Sequence, residues 1–345
     1  MKPAAAPGDS VKRFVMPRLV RGIQAGSSSA AQARRWIPRT GRGMTSLILL
    51  TAAFVISAPA VAQDITPPGY AVPPLKSVGP DTPAKELFGR VDHPSSGREE
   101  SIGFYTNGCM AGAKALPLGG PTWQVMRPSR NRYYGRTKLV SFIQRISKKV
   151  AANTSWPGLL IGDMSQPRGG PMLKGHASHQ IGLDVDVWLR PMPTAEMNMQ
   201  AREQIMSTNL LAANRIDLNA YYTKNTLQVL KIFATDPEVE RVLVNPAIKR
   251  RLCMDAGADR GWLQKVRPVW GHDYHTHIRL GCTASDGSCK SQADVVPGDG
   301  CGKALDWWFT PGRLFPTPPK VPPKPAPPMT LAKMPKQCSA VLNAP

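Results

Sequence analysis

Histidine is scarce in this sequence, so its distribution is informative. The 345 residues contain six histidines. Five of them lie in two short segments, GHASHQIGLDVDVW at 175–188 and WGHDYHTHIRLGC at 270–282. A lone histidine is more often a core or surface residue than a ligand. Two tight clusters, one of which also contains Asp184 and Asp186, instead favour a metal site.

Other patterns are missing, and each absence excludes a class of protein. No two cysteines stand in a CxxC spacing, which argues against a zinc ribbon. No GxSxG is present, so the sequence lacks the nucleophile elbow of serine hydrolases. The apolar run Leu47–Ile56 is too short to be a permanent membrane anchor.

The same run predicts export. Four arginines between residues 34 and 42 precede it, and APAVAQ follows it with the small residues typical of signal-peptidase cleavage after Ala62. We therefore predict that residues 1–62 are an N-terminal extension and signal peptide that is removed, and that the mature chain is periplasmic.

Acidic residues are few, 23 against 44 Lys and Arg, for a net charge of +21. Nine of the basic residues and a single Asp lie in 1–43, and the remaining charge is spread along the chain. Because no nucleic-acid-binding signature accompanies it, we predict no nucleic-acid partner. A basic surface also suits an acidic substrate such as a cell-wall polymer.

Six cysteines follow Ala62. An even number in an exported chain predicts disulfides, and their spacing leaves fifteen connectivities open. We expect an irregular lead-in at 63–100, a compact domain at 101–310, and a tail at 311–345. Ten prolines among residues 311–335 predict that this stretch is extended and unpacked, and Cys338 beyond it predicts that the tail is tied back to the body by a disulfide.

Hydrophobic periodicity predicts an α+β fold with a small, mainly antiparallel sheet and peripheral helices. Helical spacing begins at Leu139 and ends at Val150, and 195–235 reads as mostly helical. The remaining elements predicted are strands at 159–164, 183–189, 239–245 and 275–281, and a helix at 245–257.

The strand alternation also places side chains that can carry chemistry. Asp184 and Asp186 fall on one face of their strand, and His275 and His277 on one face of theirs. With His179, the residues Asp186 and His277 form a ligand set of two imidazoles and a carboxylate, which leaves a fourth zinc position open for catalysis. His275 is then placed beside the metal-bound water without being needed as a ligand, which fits a general base or an oxyanion stabiliser.

Further residues near these clusters are candidates. His176 and His272 are candidates for additional ligands or for groups that orient ligands. The basic Arg168 and Lys174 are candidate contacts for substrate carboxylates. Trp270 adjoins the second cluster and is a candidate substrate contact, although packing is the commoner role for this residue and for Trp307 and Trp308.

Longer strings carry a family resemblance. HxxxxxxD followed by HxH is the zinc pattern of the lysostaphin, D-Ala-D-Ala metallopeptidase and hedgehog-like group. From about Ser101 to Cys338 the chain resembles the penicillin-insensitive murein endopeptidases, in IGDM, GHASHQIGLDVDVW, VNPAIKRRLCMDAGADRGWLQKVRP, HTHIRL and GDGCG.

The resemblance implies a hedgehog-like fold stapled by disulfides, with zinc (Zn2+) as cofactor. It implies that His179, Asp186 and His277 bind zinc and that His176 contacts it. It implies catalytic roles for His275 and, as an assisting group, His272. The disulfides it implies are Cys109–Cys338, Cys253–Cys301 and Cys282–Cys289. Some relatives have an Asp and a His between the two clusters that hold a further metal, but no histidine stands there in this sequence.

The implied reaction is hydrolysis of the D-alanyl–meso-diaminopimelyl cross-link of peptidoglycan, without a serine that penicillin can acylate. Two alternatives stay open on the residues alone. One is a zinc D,D-carboxypeptidase or L,D-peptidase acting on the same polymer. The other is a non-catalytic, zinc-stabilised protein that binds the cell wall. The sequence does not indicate whether the protein is a monomer or an oligomer.

Overall fold

The computed structural model describes residues 72–73, 75, 77–319 and 326–345. The predicted signal peptide and its cleavage site lie outside the described residues. All described residues belong to the compact unit Gln63–Pro345. In this part of the chain, none of the helices has the length and apolar character needed to cross a bilayer.

Eight α-helices and eleven strands occur in the described residues. The helices are α1 Ala84–Phe88, α2 Thr137–Asn153, α3 Met199–Gln204, α4 Lys224–Ala234, α5 Pro246–Asp255, α6 Lys303–Asp306, α7 Pro311–Leu314 and α8 Gln337–Asn343. The strands are β1 Glu100–Phe104, β2 Asn107–Ala111, β3 Lys114–Ala115, β4 Gly119–Gly120, β5 Trp123–Val125, β6 Tyr134–Gly135, β7 Leu159–Ile161, β8 Asp184–Trp188, β9 Val239–Val244, β10 Val266–Pro268 and β11 His275–Leu280.

Seven of the strands form one sheet, in the order β10-β9-β11-β8-β7-β5-β4. The β9–β10 and β5–β7 pairs are parallel, and the other four pairs are antiparallel. The prediction of a mixed chain with a mainly antiparallel sheet is therefore confirmed. The two strands that carry the site residues, β8 and β11, are neighbours near the centre of the sheet.

The core lies between this sheet and its helices. From α2 the side chains of Leu139, Phe142, Ile146 and Val150 are fully or almost fully buried, as their helical spacing predicts. On β8 the apolar residues Val185 and Val187 belong to the same core cluster. Because side chains alternate along a strand, Asp184 and Asp186 lie on its other face.

The prediction that 195–235 is mostly helical is wrong, because only α3 and α4 are helical within it. Between α3 and α4 the backbone is irregular, and asparagine side chains bond to nearby main-chain amides. Asn209 accepts from the amide of Leu211, and Asn219 accepts from that of Tyr221. Such local bonds offer the backbone an alternative to helical bonding, which is why asparagine favours turns.

The proline-rich stretch is mostly exposed where it is described, as predicted, but it is not extended throughout, because Pro311–Leu314 form α7 and Leu314 is buried. The chain at the end of this stretch and beyond it packs against the rest of the protein. Met334, Cys338 and Val341 are buried against a small apolar cluster that includes Phe88 and Ile102. These apolar side chains pack against α1 and β1. The high proline content of the tail gave no indication of this packing. Residues 320–325 lie outside the described part.

The six cysteines form three disulfides, Cys109–Cys338, Cys253–Cys301 and Cys282–Cys289. These are the pairs that the resemblance implies. The first joins β2 to α8 across a sequence separation of 229 residues, whereas the third spans a separation of seven.

Replacing Cys109 and Cys338 with alanine should lower the free energy of unfolding by roughly 2–5 kcal/mol, because the long loop gains much conformational entropy when it is released. Replacing Cys282 and Cys289 should cost less, because their loop is short. Urea unfolding of the two variants checks this. An equal or larger loss in the short-loop variant would contradict the entropic account.

Candidate metal centre

The site forms where β8 and β11 run side by side. In their antiparallel register His277 is opposite Asp186, so an imidazole and a carboxylate from different segments meet on one face. The loop before β8 supplies His176 and His179. Gly182, at φ 73°, turns this loop into β8, and a Cβ there would overlap the sulfur of Met110.

Asp186 is the centre of the cluster, because its buried carboxylate faces four imidazoles. The ring nitrogens nearest to its oxygens are His176 Nδ1 at 3.5 Å, His179 Nε2 at 3.4 Å, His275 Nε2 at 3.4 Å and His277 Nδ1 at 3.5 Å. The structure thus brings together the three ligands predicted from the sequence, together with His176 and His275.

Several buried atoms in this cluster lack a hydrogen-bond partner. They are both ring nitrogens of His179 and Oδ1 of Asp186. An unpaired buried polar group costs about 1–3 kcal/mol, so such a concentration needs an explanation. The ligand atoms of His176, His179 and Asp186 lie within 4.8 Å of one another, close enough to hold one metal ion.

The donor set restricts which metal fits. All six cysteines are in disulfides, so no thiolate is available. The remaining donors are imidazole nitrogen and carboxylate oxygen, which suit zinc and several other transition metals.

Asp184 holds three groups around this centre in place. Its carboxylate accepts from Nε of Arg279 at 2.8 Å and from the main-chain amide of His179 at 3.0 Å. One of its oxygens also lies 3.1 Å from Nε2 of His277, whose other ring nitrogen faces Asp186. A carboxylate beside the second nitrogen of a ligand histidine is the usual way to fix its ring orientation.

Asp163 performs the same task for His176. It follows β7 in the IGDM string, and its Oδ2 lies 2.9 Å from Nε2 of His176 and 2.9 Å from Arg132. Our sequence analysis missed it as a site residue. The available signal was its position at the end of a buried strand, but nothing in the sequence indicates that β7 pairs with β8.

The electrostatics of the cluster favour a cation. Burial alone would raise the pKa of Asp186, but His275 and His179 outweigh it and hold that pKa well below the ordinary value. Burial likewise opposes protonation of His179, yet Asp186 raises its pKa. The same negative potential that favours a proton on His179 favours a metal ion.

Two other histidines are kept neutral. Burial lowers the pKa of His275. Burial, together with His275 and His277, lowers the pKa of His272 to about 4. At neutral pH both rings are uncharged and can accept a proton.

A cleft of about 780 Å³ opens onto the cluster. His176, His272, His275 and His277 line it, as do Lys174 and Trp270. Sequence reasoning missed other lining residues, among them Arg130, Arg132 and Tyr274. Tyr274 is 41 % exposed, and its ring centroid lies 4.6 Å from that of His275.

Arg168 is not part of the cleft. It is 3 % exposed, and its guanidinium donates to the main-chain carbonyls of Val341, Leu342 and Ala344. The suggestion that it meets substrate carboxylates therefore does not fit the structure. Its charge is used to hold the C-terminal residues against the loop that supplies His176 and His179.

Comparisons with known proteins agree on one family. Residues 101–343 match the family described as Penicillin-insensitive murein endopeptidase. A protein of that name from Yersinia enterocolitica is 43 % identical over 255 residues, which are 74 % of this chain and 89 % of the relative. Its namesake from Klebsiella pneumoniae is 45 % identical over 256 residues, 74 % and 90 % of the two chains. The namesake from Haemophilus influenzae is 43 % identical over 255 residues, 72 % and 84 %.

Asp184→Asn should lower the free energy of unfolding by roughly 3–5 kcal/mol at neutral pH, because it leaves Arg279 buried without its counter-charge. Urea unfolding measures the loss. Asp217→Asn, at an exposed carboxylate, is the matched control and should change little.

The variant should also alter the response to acid. Burial opposes ionisation of Asp184, but His277 and Arg279 outweigh it and lower its pKa. The stabilisation is therefore complete above about pH 4 and is lost as the pH falls toward the folded-state value. Asp184→Asn should show a weaker fall of stability with acid, and an unchanged acid dependence would contradict this role.

Proposed function

Because the chain belongs to the penicillin-insensitive murein endopeptidase family, we propose that it is a zinc-dependent enzyme that hydrolyses the D-alanyl–meso-diaminopimelyl cross-links of peptidoglycan. The family match spans most of the chain, and the resemblance seen in the sequence is confirmed. The relatives' name favours an endopeptidase over the carboxypeptidase and wall-binding alternatives. We also propose that the fold is that of the hedgehog-like group.

One observation carries the zinc assignment. His179 is fully buried, and neither of its ring nitrogens has a hydrogen-bond partner, while Oδ1 of Asp186 beside it is also unpaired. With His277 these residues would hold the ion as its three protein ligands, and His176, at the edge of the cleft, would be an additional contact. When bound, zinc in such a set supplies Lewis acidity, lowering the pKa of water and polarising a carbonyl.

The chain's own residues would manage the protons. His275 lies at the cleft wall with Nε2 directed toward Asp186, and its lowered pKa keeps the ring neutral. It is therefore the proposed base that takes a proton from the attacking water and passes it to the leaving amine. His272, whose ring centroid lies 5.0 Å from that of His275, is the proposed assisting group. Its Nδ1–H donates to the main-chain carbonyl of Trp270, so the neutral ring would present Nε2 as an acceptor for a hydrogen bond or proton from the attacking water or the substrate.

Basic residues at the cleft fit the proposed bond. A peptide cross-link that contains diaminopimelate carries free carboxylates beside the scissile amide. Lys174 is exposed at the cleft, and Arg130 and Arg132 line it nearby. We propose that these cations orient the substrate and that Trp270 packs against its apolar part.

Two further features belong to the proposal. Water attack assisted by histidine needs no serine nucleophile, so a β-lactam has no acylation target in this mechanism. Three disulfides and the predicted signal peptide support action in the periplasm, where peptidoglycan lies and where disulfides persist.

A chelator that strips zinc from the purified enzyme should abolish cleavage of cross-linked muropeptide dimers, because the proposed ligand set would lose its Lewis acid. Adding one equivalent of zinc should restore it, and penicillin should have no effect. Chromatography of the products measures this. Full activity of protein shown to be metal-free would contradict zinc dependence, and release of D-alanine from intact dimers would indicate a carboxypeptidase.

His275→Ala should lower kcat by roughly 10²- to 10⁴-fold while the zinc content stays near one per chain, because it removes a general base and not a ligand. His179→Ala should lose both zinc and activity. Metal analysis beside kinetics separates the two effects. Tyr221→Ala, at a side chain that is 68 % exposed and outside the cleft, is the control and should match wild type.

A further inference from the structure

The tryptophans divide into two groups. Seven of the eight lie in the described residues. Four of these are buried, with at most 8 % exposure: Trp123, Trp156, Trp188 and Trp262. The other three, Trp270, Trp307 and Trp308, are in contact with one another outside the core.

These three residues form what we call the aromatic ridge. The ring centroids of Trp270 and Trp308 lie 5.2 Å apart, and those of Trp308 and Trp307 lie 5.3 Å apart, both edge to face. Trp270 lines the active-site cleft, and Trp307, at the other end, is 45 % exposed. The ridge therefore leads from the wall of the cleft outward to solvent.

The segment that carries the outer two rings is anchored. Leu305 and Leu314 are buried on either side of it, and the Cys253–Cys301 disulfide ties the chain to α5 just before it. The guanidinium of Arg313 lies 4.0 Å from the ring centroid of Trp307 and supports one face of it. An exposed tryptophan held by this much structure, such as Trp307, is presented at a fixed position.

We propose that the aromatic ridge binds the glycan strand of peptidoglycan next to the cleft, and this proposal rests on the proposed function. The polymer is a sugar chain with peptide branches, so a cross-link peptide in the cleft brings its glycan to the cleft's margin. Pyranose rings have flat apolar faces bordered by hydroxyls. Indole rings offer matching apolar faces with a polar N–H at the edge.

The surroundings favour a sugar over a protein partner. The ridge consists of only three rings, whereas a stable protein interface buries about 800 Å² on each side. Charged residues flank it, including Lys303, Asp306 and Arg313, all exposed. These groups can bond to sugar hydroxyls, but a protein partner would have to desolvate them.

The test compares two substrates and one ligand. Intact sacculi carry both glycan and cross-links. Cross-linked peptide dimers freed of sugar by an amidase carry only the scissile bond, and peptide-free glycan strands carry only the sugar. Trp307→Ala should weaken glycan binding and lower the rate on sacculi roughly three- to tenfold, the size expected for one aromatic contact. Its kcat/KM on the sugar-free dimer should equal that of wild type.

Three further variants sharpen the result. Trp307→Phe should retain much of the glycan binding, whereas Trp307→Leu, which keeps apolar area without a flat ring, should not. Tyr221→Ala, which removes an aromatic side chain that is 68 % exposed elsewhere, should match wild type on all three ligands. Thermal melting shows that each variant is folded.

The proposal is overturned if Trp307→Ala binds peptide-free glycan as wild type does, or if its activity falls equally on sacculi and on sugar-free dimers. It is also overturned if wild type cleaves the dimer but does not bind the glycan, in which case the endopeptidase function stands. Failure of wild type with zinc to cleave either substrate would overturn the proposed function itself.

Discussion

The burial of Asp186 among four imidazoles is the constraint on which the rest of the site depends. A carboxylate removed from water is costly unless positive charge compensates for it. Here the nearest ring nitrogens lie 3.4–3.5 Å away, and several buried atoms have no hydrogen-bond partner. As a hydrogen-bonded network this arrangement leaves buried nitrogen and oxygen atoms without partners, but these are the atoms that a bound cation requires.

The surrounding fold serves to hold these side chains in place. The pairing of β8 with β11 sets His277 opposite Asp186. Beneath them Asp184 links three groups that must not move, the side chains of Arg279 and His277 and the main chain of His179. Since β8 and β11 are central strands, a shift in their register would disturb the whole sheet.

The C-terminal residues have a related role. α8 is bonded through Cys338 to β2, and Arg168 reaches the carbonyls near the end of the chain. Arg168 stands in the same loop as His176 and His179, and its own carbonyl accepts from the amide of Met110 in β2. The C-terminal residues therefore stabilise the loop that carries two candidate ligands, His176 and His179, although they lie far from this loop in the sequence.

Much of the geometry of the candidate site could be predicted from the sequence, because its candidate ligands are local in the chain or alternate along a strand. His179 and Asp186 are seven positions apart, and the HxH spacing puts His275 and His277 on one face. What could not be predicted depends on long-range pairing. Asp163 acquires its role only because β7 lies beside β8, and Arg168 was misread because nothing in the sequence shows that α8 covers it. The asparagine-rich segment between α3 and α4 failed for a different reason, since its polar side chains compete with helical bonding.

X-ray absorption spectroscopy of the zinc-loaded enzyme tests the central claim most directly, because it reports the donor atoms around the ion. The proposed ligand set should give imidazole nitrogen and carboxylate or water oxygen at about 2.0–2.1 Å in a roughly four-coordinate shell. A sulfur shell at about 2.3 Å, or a shell of six oxygens without imidazole scattering, would contradict it.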